Sequence, residues 1–198
     1  MNREQEHIRL FRNPLLESMT HVHPAVPAVL WIPIILGLFY HNHQSYHHSL
    51  SMTLLWAPVG LLVWTLTEYG LHRFVFHYQA TTSLGQRFVY LFHGLHHDDP
   101  QDSRRLVMPP VPALLIVSLL YVFFKMLIAP EYLNLFMAYF LIGYLVYDYI
   151  HYATHHFPMT SPAGRFLRAY HLKHHYNHKA CKYGVSSPLW DYFFKTIE

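Results

Sequence analysis

Histidine is the residue type in excess, 19 of 198 residues, and ten of them fall in four spaced boxes. The boxes are His72 with His77; His93, His96 and His97; His151 with His155; and His171, His174 and His175. Neutral imidazoles ligate metals, whereas the same rings as imidazolium ions would repel one another at this density, so a metal explains clustering that solvation does not. On a helix, residues three and four apart share a face. His93-Gly94-Leu95-His96-His97, His171-Leu172-Lys173-His174-His175 and the His151/His155 pair are therefore each expected to aim at a common point. His72 and His77 stand five residues apart, about 140° around an ideal helix, and need a local distortion or a helix end to converge. The intervals His77 to His93 and His155 to His171 are both 16 residues, each joining a two-histidine box to a His-x-x-His-His box. A unit used twice gives a reason for two metals instead of one. Two ions with four or five ligands each need about eight to ten ligands, and ten histidines meet that need.

The other histidines take plainer readings. His41, His43, His47 and His48 are expected in a turn on the opposite side, and His7, His21 and His23 precede the first apolar stretch. His156 and His178 adjoin the boxes, as outer partners of the ligands or as packing residues. A single cysteine, Cys181, excludes an intrachain disulfide framework and multi-cysteine zinc or iron–sulfur motifs.

The elements that must position these boxes are read from apolar runs. Charged residues make up 13% of the chain, against roughly 25% in ordinary globular proteins. Apolar runs cover 24–40, 50–66, 111–129 and 132–149, each near the ~17–25 residues that cross a bilayer core as a helix. The expected fold is all-α: an integral membrane protein with four transmembrane helices in two hairpins and a cytosolic helical cap carrying a histidine-rich bimetal site. It forms a single domain over 1–198, with an N-terminal arm over 1–23 and metal-binding segments over 67–110 and 150–198. Pro33 and Pro58 fall inside two of the crossings, where membrane helices tolerate them.

Counting crossings puts the arm and both metal-binding segments on one side. Of the 14 Lys and Arg residues, all but Lys125 lie in those three segments, so the positive-inside bias makes the histidine-bearing side and both termini cytoplasmic. The modest net charge of +3 with scattered Lys and Arg gives no reason to expect a nucleic acid partner. Residues Met1 to Asn13 mix charge signs and lead to no small-residue cleavage site, so no cleaved signal peptide is expected.

At these residues the chain resembles the fatty acid 2-hydroxylases of the sterol desaturase and fatty acid hydroxylase superfamily. The matching pattern is His-x4-His, His-x2-His-His, His-x3-His, His-x2-His-His. Similar segments are Arg104-Arg105-Leu106-Val107-Met108-Pro109-Pro110, Tyr147-Asp148 and Gly184-Val185-Ser186-Ser187 leading to Trp190-Asp191. The resemblance implies an O2-dependent monooxygenase that hydroxylates C2 of a fatty acyl chain in fatty acid or sphingolipid metabolism. Eukaryotic relatives often carry a fused cytochrome b5 domain. Only some 23 residues precede the first crossing here, so the expected form lacks that domain and takes electrons from a separate donor such as cytochrome b5 or a ferredoxin with its reductase. The membrane would be the endoplasmic reticulum in a eukaryote and the inner membrane in a bacterium.

Attack on an unactivated C–H bond requires a redox metal, which makes iron the functional choice. Zinc has no second oxidation state to offer, yet it binds imidazoles well and is expected to occupy the site readily in purified protein. Asp148, three residues before His151, is read as accepting a ring N–H or orienting the substrate's polar end, or else as a helix-surface carboxylate. Tyr147 is a further candidate for orienting substrate. Tyr147, Tyr170 and Trp190 are otherwise packing or interfacial aromatics, with acyl-channel lining as the alternative. Two other readings stay open. One is sterol or carotenoid hydroxylation or desaturation by the same centre. The other is a membrane metal transporter or sensor, which would carry ionisable residues deep within the crossings.

Overall fold

The computed structural model describes residues 8–177 and 181–198, and the described residues form helices and loops without strands. A short helix α1 (Pro14–Ser18), capped by Asn13, lies in the N-terminal arm. Helix α2 (Val26–Tyr46) runs past its expected end, so His41 and His43 sit in its last turns and not in a loop. It stops where His47 takes a left-handed conformation at φ 51°. Helix α3 (Leu50–Gly70) starts on the Ser49 cap, whose hydroxyl accepts the Met52 N–H, and continues without a break into a π-helical stretch, Leu71–Phe76.

Helix α4 (Ser83–Val89) passes through a second π-helical stretch, Tyr90–Gly94, into the short α5 (Leu95–Asp98). Helix α6 (Pro110–Lys125) is followed by α7 (Pro130–His156), which runs on past its expected end at Tyr149 and so carries His151 and His155 on a regular α-helix. Helices α8 (Pro162–Tyr176) and α9 (Leu189–Phe193) complete the chain.

Among the described residues, three helices are long and apolar enough to cross a membrane: Val26–Tyr46, the continuous Leu50–Phe76, and Pro130–His156. The third apolar run gives a shorter helix than the 111–129 expected, because α6 ends at Lys125 and a turn to Pro130 follows. The outward faces carry large apolar side chains, including Leu55 at 63% and Leu62 at 50% exposure. An aqueous surface would not tolerate such a face, and it suits lipid.

Helix α7 is the centre of the packing. Trp31 of α2, Trp64 of α3 and Phe124 of α6 converge on its Phe136, Phe140 and Tyr144. Trp64 meets Phe140 edge-on at 5.2 Å, a geometry worth about 0.5–1.5 kcal/mol beyond the area buried. The approach of α3 requires a glycine, since a Cβ at Gly143 would stand 2.6 Å from the Trp64 ring. With α3 and α7 so fixed, their histidine-bearing ends emerge side by side.

Candidate metal centre

All ten box histidines come together, and they divide into two groups of five. His72, His77, His93, His97 and His174 form one; His96, His151, His155, His171 and His175 form the other. Within each, one ring nitrogen per residue lies within 4.8 Å of all the rest. The groups adjoin where the His97 and His175 rings stack at 4.1 Å.

The division corrects the expectation that each His-x-x-His-His box aims at one point. His93 and His97 face the first group while His96 turns to the second; His171 and His175 face the second while His174 turns to the first. The reason is angular: residues at i+3 and i+4 diverge by about 100° around a helix, so adjacent histidines cannot both follow the first of the box. Each half of the chain thus gives four histidines to its own group and one to the other.

The distortion expected at His72 and His77 is the π-helical stretch between them. The His77 N–H donates to the His72 carbonyl at 3.2 Å, an i to i+5 bond. It brings residues five apart onto one side, as the α-helix does for His151 and His155. The π turn at Tyr90–Gly94 was not foreseen, and nothing in the residues there announces it.

The donor set fits a cation. Nε2 atoms stand 3.0 Å apart in the His72/His93, His77/His174 and His93/His97 pairs, and 2.9 to 3.1 Å apart in His96/His151, His96/His175 and His155/His171. Nitrogens bonded to one ion at about 2.1 Å and roughly 90° apart would be separated by just such a length. The His72 Nδ1–H donates to the Tyr183 carbonyl at 2.5 Å and the His174 Nδ1–H to the Cys181 carbonyl at 2.6 Å. Those partners assign the proton to Nδ1 and leave the lone pair on Nε2. His77 Nε2 lies 3.2 Å from the first of these lone pairs and 3.0 Å from the second, and its single proton can serve only one. A cation between them removes the conflict.

The rings are held neutral. Burial first, then the neighbouring His174, pushes His77 down to about 4, and burial followed by the same neighbour pushes His97 down to about 3. Burial and the surrounding imidazoles likewise hold His93, His96 and His171 well below the ordinary histidine range.

A cavity of about 360 Å³ adjoins this centre, with His93, His96 and His151 among its lining residues. Its walls are mostly apolar, with Ile116, Val117 and Leu120 of α6 on one side and Leu10, Leu16 and Met19 of the N-terminal arm on another. Buried Arg105 secures the arm by donating to the Glu17 carboxylate and the Ile8 carbonyl. Asp148 and Tyr147 both line the cavity. Asp148 is 2% exposed and its Oδ2 has no hydrogen-bond partner, so among the described contacts it supports no ligand ring.

Tyr170 and Trp190 are absent from the cavity lining. Tyr170 stacks on Phe166, and Trp190 Nε1 donates to Thr65 Oγ1 at 3.0 Å. Of the plainer histidines, His156 packs on Tyr152, His48 Nε2 meets the Glu131 carbonyl, and His7 and His178 lie outside the described residues. Sequence reasoning missed Glu68 and the backbone carbonyls of Cys181 and Tyr183. A carboxylate one turn before His72, in an otherwise apolar run, was the available signal for Glu68.

The fatty acid hydroxylase family model matches residues 57–196. The chain is 35% identical to the fatty acid 2-hydroxylase of Rattus norvegicus over 96% of its own length, and spans 56% of that protein. It is 35% identical to the dihydroceramide fatty acyl 2-hydroxylase FAH2 of Arabidopsis thaliana, with 96% of this chain and 79% of the relative covered. The solved structure of full-length scs7p, in which only the hydroxylase domain is visible, superposes with a TM-score of 0.87 at 34% identity. That match covers 94% of this chain and 70% of the other.

Proposed function

The chain belongs to the fatty acid hydroxylase family, and from that premise we propose that it is a membrane-bound, O2-dependent hydroxylase acting at C2 of a fatty acyl chain. The observation that carries this reading is the apolar cavity whose lining includes His93, His96 and His151. An extended hydrocarbon fits such walls, and its reacting carbon would come to rest against the histidine assembly.

The ten histidines are the proposed ligands of two ions, five to each. Bound there, two iron ions would supply O2 activation: one oxygen atom enters the C2–H bond and the other leaves as water, with two electrons and two protons completing the balance. The electrons come from a donor such as cytochrome b5 or a ferredoxin with its reductase. Imidazoles also bind zinc, so zinc in purified protein is compatible with an iron enzyme.

The chain's own residues bind and orient. Apolar walls exclude water from the acyl chain, and the arm held by Arg105 covers it. Asp148 Oδ2, buried and without a hydrogen-bond partner among the described residues, is offered as the hydrogen-bonding group for the substrate's polar end, with Tyr147 beside it. The membrane reading is one domain over 1–198 with four crossings, α6 and the turn after it serving as the short third one, and the metal-bearing face on the cytoplasmic side.

The test is expression in a host that makes no 2-hydroxy lipids, followed by lipid mass spectrometry, with His174→Ala alongside. New 2-hydroxy fatty acids from the parent chain and none from the variant support the reading. Oxidised sterols or carotenoids in their place would move it to the other chemistry of the superfamily, and product from His174→Ala would remove that residue as a ligand.

A further inference from the structure

We propose that Glu68 is a positioning residue for the ion of the first group, acting through the C-terminal strap 181–191, and that this makes the two ion sites unequal in strength. The inference rests on the two-ion reading above. Glu68 is 4% exposed at the end of α3. Its Oε1 accepts the backbone N–H of Val185 at 2.7 Å and of Ser186 at 2.9 Å, and its Oε2 accepts the Ser186 hydroxyl. A second buried carboxylate completes the clamp, since Asp191 accepts the N–H groups of Tyr183 at 2.9 Å and Gly184 at 2.7 Å. Gly184 is required there, because a Cβ would fall 2.1 Å from the Ser187 carbonyl oxygen.

Between them the two carboxylates fix four consecutive amides, and the fixed segment presents the Tyr183 carbonyl to His72 and the Cys181 carbonyl to His174. The carbonyls set which ring nitrogen keeps its lone pair and how each ring is turned, so a movement of the strap is a movement of two ligands. Both belong to the first group. In the second group the outer Nδ1 atoms of His155, His171 and His175 are buried without hydrogen-bond partners among the described residues, so no comparable brace orients those rings. Glu68 precedes His72 by one helical turn, so a single helix face carries both the ligand and the group that orients it from behind.

The experiment measures ions per chain by elemental analysis after a fixed exposure to chelator, on the full chain in detergent. The parent chain is expected to retain two ions, Glu68→Ala one, and Glu68→Gln two, because the glutamine carbonyl still accepts from Val185 and Ser186. Combined with His174→Ala, Glu68→Ala should cost no further ion; combined with His151→Ala, it should cost the last. Two ions retained by Glu68→Ala, or one still retained by the His151→Ala combination, would overturn the inference. Fewer than two ions in the parent chain before chelation would instead overturn the two-ion reading itself.

Should Glu68→Ala fail to fold, the parent chain alone decides the matter. Chelator should then extract the ions in two phases, with the Val185 and Ser186 amides protected from hydrogen exchange through the first and released in the second. A single phase, or protection lost in the first, would contradict the proposal.

Discussion

Asp148 sets one carboxyl oxygen, without a hydrogen-bond partner among the described residues, against a mostly apolar cavity wall. A buried polar atom left in that state costs about 1–3 kcal/mol, a cost that a substrate hydrogen bond would offset. Asp148→Ala is therefore expected to lower kcat/KM by about threefold to tenfold, the equivalent of about 0.5–1.5 kcal/mol for one hydrogen bond, while ions per chain stay unchanged. Turnover assays beside elemental analysis check this, and loss of ions would show the residue to be structural. The box histidines themselves give a pH dependence. Burial holds His77 at about 4 and His97 at about 3, against about 6.5 in an unfolded chain. Between those values the unfolded chain binds more protons, so stability is fully present above about pH 7 and is lost as pH falls toward 4. The Tm of chelated protein should drop steadily from pH 7.5 to pH 5; a flat profile would mean the rings are not buried as neutral groups.

Helix α7 and the continuous α3 with its π-helical end do the same job by different means. On α7 an unbroken α-helix aligns His151 with His155, and on the other an i to i+5 bond aligns His72 with His77. The spacing of the boxes makes this need for distortion legible in the amino-acid sequence, and with it the convergence of all ten rings. The exchange of His96 and His174 between groups follows from helix geometry as well, but a one-dimensional reading that asks only which residues share a face overlooks the 100° between neighbours. What spacing cannot carry is backbone: the carbonyls of Cys181 and Tyr183 have no side-chain signature, and their roles depend on contacts with Glu68 and Asp191 from distant or opposite ends of the strap. The exchange makes its own prediction. His96→Ala should deplete the ion proposed for the group of His151, His155, His171 and His175 and spare the other, which anomalous scattering would locate. Gly143→Ala, driving a Cβ into Trp64, should cost about 1–3 kcal/mol through overpacking and lower the Tm in detergent.

The molecule is a helical frame whose widest apolar faces look outward and whose dense polar core lies at one end, where α3, α5, α7 and α8 meet. Four apolar runs made most of this frame readable. The short α6 and the unforeseen length of α7 differ from expectation because helix ends follow caps and packing, which hydropathy does not register. An apolar cavity lined in part by His93, His96 and His151 of the ten-histidine centre unites the frame with the chemistry. The most direct test of that union is incorporation of isotopic oxygen by the full chain in lipid vesicles, with iron, a reducing partner and a fatty acyl substrate under 18O2. The account predicts a 2-hydroxy product carrying one 18O atom at C2, absent when His174 or His151 is replaced by alanine. Product that draws its oxygen from water, or labelled product from those variants at the parent rate, would contradict it.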